Sequence, residues 1–144
     1  MTETERMLIE HACAKLIADY AYFADHGPRE AFAGVFAEDG VLSLPTGEAR
    51  GRSAIAANPL PPDLVSQHSM SNVRVNVLSD TAAEGSSYLT LYMARRPDPS
   101  RPAETKIAAP TNVGIYTDRY VRTAQGWRIA SRRYQPSIVR ATGA

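Results

Sequence analysis

Apolar residues recur every fourth position between Thr4 and Ala24, at Leu8, Ala12, Leu16 and Tyr20, with Ile9, Cys13, Ile17 and Ala24 on the adjoining rows. That period predicts an amphipathic first helix. It ends near Asp25-His26-Gly27-Pro28, because Gly27 suits a left-handed C-terminal position and proline cannot continue the preceding helix. Pro28 then suits the first turn of a second helix, in which Phe32, Val35 and Phe36 supply the i, i+3, i+4 core stripe. Glu38-Asp39-Gly40 reads as a turn before a first strand, Val41-Leu42-Ser43-Leu44, and Pro45-Thr46-Gly47 as the turn after it. Ser53 is placed to cap a short third helix over residues 51–57, halted before Pro59, with Leu60-Pro61-Pro62 as a connector.

The second half changes period. Four β-rich runs, residues 67–78, 82–95, 111–123 and 127–134, are separated by turn signals at Ser79-Asp80 and Ala124-Gln125-Gly126, and predict four antiparallel strands. Between Arg96 and Pro110, Pro97, Pro99, Pro102 and Pro110 among charged residues oppose a central strand and suit an exposed loop. Helices first and a meandering sheet afterwards predict an α+β domain with helices on one face of a curved sheet and a ligand pocket between them.

Which strand faces turn inward is less legible. Alternation puts His68, Met70, Asn72 and Arg74 on one face and Ser69, Ser71, Val73 and Val75 on the other, so the histidine and the core-like valines conflict. Either the sheet's curvature or a bulge resolves that conflict. On the last strand Arg133 shares a face with Trp127 and Ile129, and Arg132 with Arg128; if the Trp127 face is the covered one, Arg133 points inward.

At 144 residues with 44% hydrophobic content, the chain fits one domain, residues 1–144. A net charge of +1 offers no one-signed field for a nucleic-acid backbone or an anionic membrane, which leaves a small molecule or a protein as partner. The single cysteine, Cys13, has no internal disulfide partner and sits on the apolar helix face, where core packing is expected. The acidic N-terminus lacks secretory character and no apolar run approaches a membrane span, so cytoplasmic residence is expected. His11 and His26 stand in no ligand-spaced cluster, and no metal is expected. Arg52 reads as a solvated or ion-paired helix-start residue.

Five signals in order, Tyr20-Ala-Tyr22-Phe23-Ala-Asp25, Gly51-Arg52-Ser53-Ala54-Ile55, Gln67-His68 through Asn72-Val73, Gly114-Ile-Tyr116-Thr-Asp118 and Gly126-Trp127-Arg128-Ile129, resemble the nuclear transport factor two superfamily over nearly the whole chain. The resemblance is to its SnoaL-like, scytalone dehydratase-like branch. It implies a cone-shaped curved antiparallel sheet wrapped around N-terminal helices, a cystatin-like α+β roll. Dehydratases and a dehydrochlorinase of that branch use a carboxylate and a histidine that meet in the pocket, and the matching residues are Asp25 and His68. Tyr20 matches the substrate-facing tyrosine of the dehydratases. Arg132 and Arg133 are candidates for a late arginine, and Arg133, Tyr116 and Asn72 are the expected substrate-binding residues. The second pocket histidine of scytalone dehydratase has no counterpart on the Tyr116 strand.

These residues imply a cofactor-independent lyase or isomerase. His68 would be the base, Asp25 its orienting partner, and Tyr20 a hydrogen-bond donor to a developing enolate oxygen. The substrate would be small, largely apolar and carbonyl-bearing. A non-catalytic binding or dimerisation module of the same fold, and a polyketide-type cyclase using Asp25 alone, are the alternatives. A homodimer through the sheet is expected, because helices cover only one of its faces.

Overall fold

The structure, a computed structural model, describes residues 1–57, 61–98, 100–101, 105–107, 109–139 and 141. Leu60 of the expected connector, and Pro99 and Pro102 of the expected loop, lie outside the described residues.

Helix α1 spans Glu3–His26. It begins on a reciprocal cap, in which the Glu5 amide donates to Thr2 Oγ1 at 3.2 Å and the Thr2 amide to Glu5 Oε2 at 2.6 Å. Its buried stripe runs through Ile9, Cys13, Leu16, Ile17, Tyr20 and Ala24, one row round from the expected one, so Leu8 is left exposed. The helix stops at Gly27, which has φ 67°. Helix α2, Arg29–Gly34, is shorter than its apolar spacing predicts. Val35 and Phe36 are buried as expected, but by strand pairing: the Ile129 amide donates to the Val35 carbonyl at 2.9 Å, and Phe36 opens strand β1, Phe36–Leu44. The Glu38-Asp39-Gly40 signal is a register irregularity within β1. Strand β2, Gly47–Arg50, was not expected, because its four residues, three of them exposed, carry no apolar alternation. Helix α3, Arg52–Ala56, is capped by Gly51 at φ 80° rather than by Ser53, and Arg52 Nε donates to the Phe36 carbonyl at 2.9 Å.

Strands β3 (Leu64–Val77), β4 (Ala82–Arg95), β5 (Asn112–Thr123) and β6 (Gly126–Ile138) form the expected antiparallel meander. Strand β6 runs past its expected end because Pro136, which has no amide proton to donate, sits beside a register shift at Val113/Gly114. Strand β1 joins β6 in parallel, completing one six-stranded sheet in the order β2-β1-β6-β5-β4-β3. The helices cover its inner face, and one core cluster fills the space between. The opposite face leaves Tyr88, Tyr92 and Ile115 exposed.

Two bulges decide which side chains face inward. On β3, Asn72 and Val73 together occupy the step between Ser71↔Tyr88 and Arg74↔Ser86, with Asn72 at φ 46°. Parity flips there, so His68 and Met70 face inward before the bulge and Val75 and Val77 after it. On β6 the register shifts between Tyr120↔Ile129 and Arg119↔Ser131, which leaves Ala130 as the extra residue. Ile129 is therefore inward, and so are Arg132 and Tyr134.

Candidate active site

A cavity of about 710 Å³ opens between the three helices, the β1–β2 hairpin and the inner face of the sheet. Its wall includes Tyr20, Arg29, Phe32, His68, Tyr116 and Tyr134. Asp25 reaches this region because it stands on the last turn of α1, which packs on β3. Strand β3 is a sheet edge, so the amide of His68, turned away from β4, needs a partner outside the ladder. Asp25 Oδ2 accepts it at 2.9 Å. Oδ1 accepts from Ser66 Oγ at 2.8 Å and lies 2.6 Å from His68 Nδ1. A carboxylate that close makes Nδ1 the donor of this pair, so that Nε2 is the ring nitrogen left for a ligand.

Beside His68 lies a packed aromatic group. The Tyr20 ring is 6.3 Å from the His68 ring and 5.6 Å from the Tyr116 ring, and the two tyrosine hydroxyls are 3.2 Å apart. Whichever donates to the other, one hydroxyl proton remains for a ligand oxygen. Burial raises the pKa of both phenols above the ordinary tyrosine value, although Arg132 draws each partly back. Both therefore stay protonated near neutral pH.

Arg132 lies behind this pair and outside the cavity lining, fully buried, with Cζ 4.3 Å from the Tyr20 ring centroid and 3.8 Å from that of Tyr116. Its Nη1 donates to Asp118 Oδ2 at 3.1 Å, and Tyr120 donates to the same oxygen at 2.9 Å. Burial pushes the Asp118 carboxyl up, and Arg132 and Tyr120 offset this only in part. Cys13 packs near this unit, and burial, followed by the Asp118 charge, pushes its thiol up to about 12. It is a thiol near neutral pH, a core residue rather than a nucleophile.

Asp25, His68, Tyr20 and Tyr116 are thus brought together, whereas two expected binding residues are elsewhere. Arg133 is exposed on the outer face, because the Ala130 bulge turns Arg132 inward in its place. Asn72 is exposed in the β3 bulge and does not line the cavity. Among the described residues, no group of three or more His, Cys, Asp or Glu could hold a metal ion, and no helix is long and apolar enough to cross a membrane.

Residues 5–133 match the family model described as the SnoaL-like domain. The chain belongs to the SnoaL-like family. No curated protein matches it. Among solved structures, an NTF2-like protein with a cystatin-like fold from Novosphingobium aromaticivorans is 24% identical over 96% of this chain and 86% of its own, with a TM-score of 0.74. A scytalone dehydratase-like protein from the same organism is 23% identical over 99% of both chains, with a TM-score of 0.73. A hexachlorocyclohexane dehydrochlorinase is 15% identical over 99% of this chain and 95% of its own, with a TM-score of 0.76. At these identities the likeness is one of fold.

The SnoaL-like domain holds three polar cavity residues that its sequence did not single out. Ser66 was legible in principle, being two residues before His68 on the same strand face. Tyr134 and Arg29 were not. The Tyr134 hydroxyl is buried, and Asn112 is its polar neighbour in the cavity wall. Its ring has room to lie over β5 because position 114 is glycine, where a Cβ would stand 2.5 Å from Tyr134 Cε2 and 2.6 Å from its hydroxyl.

The carboxylate of this SnoaL-like domain carries a pH signature. Burial works against its charge, but hydrogen bonds from the His68 side chain, the His68 backbone and Ser66 outweigh it and hold Asp25 below the usual carboxylate range. A depressed folded pKa stabilises the fold above the unfolded value, about 4, and this is lost as pH falls through the folded value. The stability gap between wild type and Asp25→Asn, measured by urea unfolding, is expected to narrow as pH drops below about 4. A gap that stays constant across that range would show that the carboxylate's charge contributes nothing to the fold.

Proposed function

We propose that the protein is a cofactor-independent lyase or isomerase that removes a proton next to a carbonyl in a small, largely apolar substrate. The observation that carries this reading is the 2.6 Å contact between Asp25 Oδ1 and His68 Nδ1, with His68 in the cavity wall beside Tyr20 and Tyr116. His68 Nε2 takes the proton and Asp25 stabilises the imidazolium. The free hydroxyl proton of the Tyr20–Tyr116 pair is donated to the carbonyl oxygen as charge develops on it. Either the pair of electrons left on the α-carbon expels a leaving group, such as the hydroxyl of a β-hydroxy carbonyl compound, which takes the proton held by His68 and departs as water, or the framework recovers that proton at another carbon.

The test uses solvent deuterium. A series of β-hydroxy ketones incubated with the protein in D2O should show enzyme-dependent α-deuterium incorporation or elimination by NMR, and this should be lost in His68→Ala. Incorporation that proceeds equally well in the variant would remove His68 from the reaction. The polyketide-type cyclase alternative asks Asp25 to act alone, but both of its oxygens are engaged by Ser66 and His68 and it does not line the cavity.

A homodimer formed through the outer face of the sheet belongs to the same proposal, since a second copy would cover the exposed Tyr88, Tyr92 and Ile115 on β4 and β5. Light scattering at micromolar concentration should return twice the chain mass. A monomer there would leave that face without its proposed partner.

A further inference from the structure

The proposed reaction gives no role to Arg29, a cation in the cavity wall. Arg29 opens α2, and its guanidinium lies over the Phe32 ring, with Cζ 4.3 Å from the centroid. Its Nη2 donates to the Ile55 carbonyl at 3.0 Å. Its Nε is buried without a partner, and no carboxylate among the described residues pairs with it. A half-buried cation with no counter-ion and a spare donor is costly to keep in a cavity wall. Burial also pushes the Arg29 pKa down, which is the same cost seen from the proton's side.

The other charges near the cavity do not relieve it. Glu48 lines the cavity, but it is exposed and held by Ser43 Oγ at 2.8 Å and Arg50 Nη2 at 2.8 Å. Asp25 is turned to His68. Meanwhile the wall is continuous from the cation to the proposed base: the Phe32 ring is 4.9 Å from the Tyr20 ring, which is 6.3 Å from His68.

We infer that Arg29 is an anion anchor and that the ligand of this cavity carries a carboxylate, held by the guanidinium while the carbon framework runs over Phe32 toward Tyr20 and His68. A guanidinium in a cavity wall, with no carboxylate of its own, offers a charge and N–H donors suited to the oxygens of a carboxylate. The anchor rests on the proposed function only for the identity of the group placed at His68. Carboxylate binding itself requires no turnover.

The probes are 2-naphthoate and its neutral amide, 2-naphthamide, titrated calorimetrically against the full chain at about pH 8, where an ordinary imidazole is neutral. Wild type should bind the carboxylate about tenfold or more tightly than the amide, as expected for a charge-assisted pair. Arg29→Gln should bring the two affinities together by weakening the carboxylate alone, and His68→Ala should keep the preference. No preference in wild type, or one that survives in Arg29→Gln, overturns the anchor. If circular dichroism shows that Arg29→Gln does not fold, Arg29→Lys decides: it keeps the charge but not the fork, so the preference should fall several-fold, and an unchanged preference overturns the inference. A preference lost in Arg29→Gln, with no deuterium exchange in any substrate tried, would leave the anchor standing and remove the proton-abstraction chemistry. Exchange without carboxylate preference would do the reverse.

Discussion

In a His68→Ala variant, kcat with the natural substrate is expected to fall by about 10²–10⁴-fold, the usual contribution of a positioned base, while KM changes little. The split follows from where the residue acts. The imidazole gains its proton in the transition state, so its loss removes stabilisation there and leaves the apolar cavity wall to bind the ground state. Asp25→Asn should lower kcat less, because an amide oxygen still accepts from Nδ1–H but cannot balance the imidazolium charge. The double variant should be hardly worse than His68→Ala, since both residues act as one unit joined at 2.6 Å. Turnover by His68→Ala within about a factor of two of wild type, far short of that range, would make the histidine structural. Unchanged turnover in both single variants would leave only a binding module.

The long elements of this fold were legible because helix and strand periods are local properties: β4 has the bounds its alternation predicts, and α1, Glu3–His26, ends close to the predicted residues 4 and 24. The site was half legible. Asp25, His68, Tyr20 and Tyr116 stood out through the order of motifs, and the cavity contains or backs onto all four. The displacement of Arg133 and Asn72 from the cavity has one cause. A single extra residue in a strand reverses every later side chain, and the pattern around it shows only two plausible faces. Asn72 offered a hint, being a residue type that tolerates positive φ, but Ala130 offered none. Arg133 was therefore expected where Arg132 stands. The missed residue Arg29 has a different origin: on the sequence it is an unremarkable charge after a helix-starting proline, and only the third dimension shows that its partner is missing.

The buried pair formed by Arg132 and Asp118 should show the largest effect on stability. Removing one member of such a pair typically costs about 3–5 kcal/mol, because the other is left charged and without its partner in a place water does not reach. Arg132→Met approximates the side chain's length without its charge, strands Asp118, and removes the cation that packs on the Tyr20 and Tyr116 rings. Against a total stability of about 5–15 kcal/mol, that loss is large and should appear in the urea midpoint. The double variant Arg132→Met/Asp118→Leu should recover part of it, since an apolar pair of similar volume leaves no charge behind. The pH dependence supplies a second check. Asp118 is an acid whose folded pKa burial raises, and losing Arg132 raises it further. The folded variant then binds more protons than the unfolded chain, so its stability is highest at acid pH and falls as pH rises from about 4 through the folded value. The penalty of Arg132→Met relative to wild type should therefore be smaller at about pH 5 than at about pH 8, measured by urea unfolding at both. A variant within about 1 kcal/mol of wild type at both pH values, the range of a surface pair, would mean that the guanidinium is not what makes Asp118 tolerable in the core.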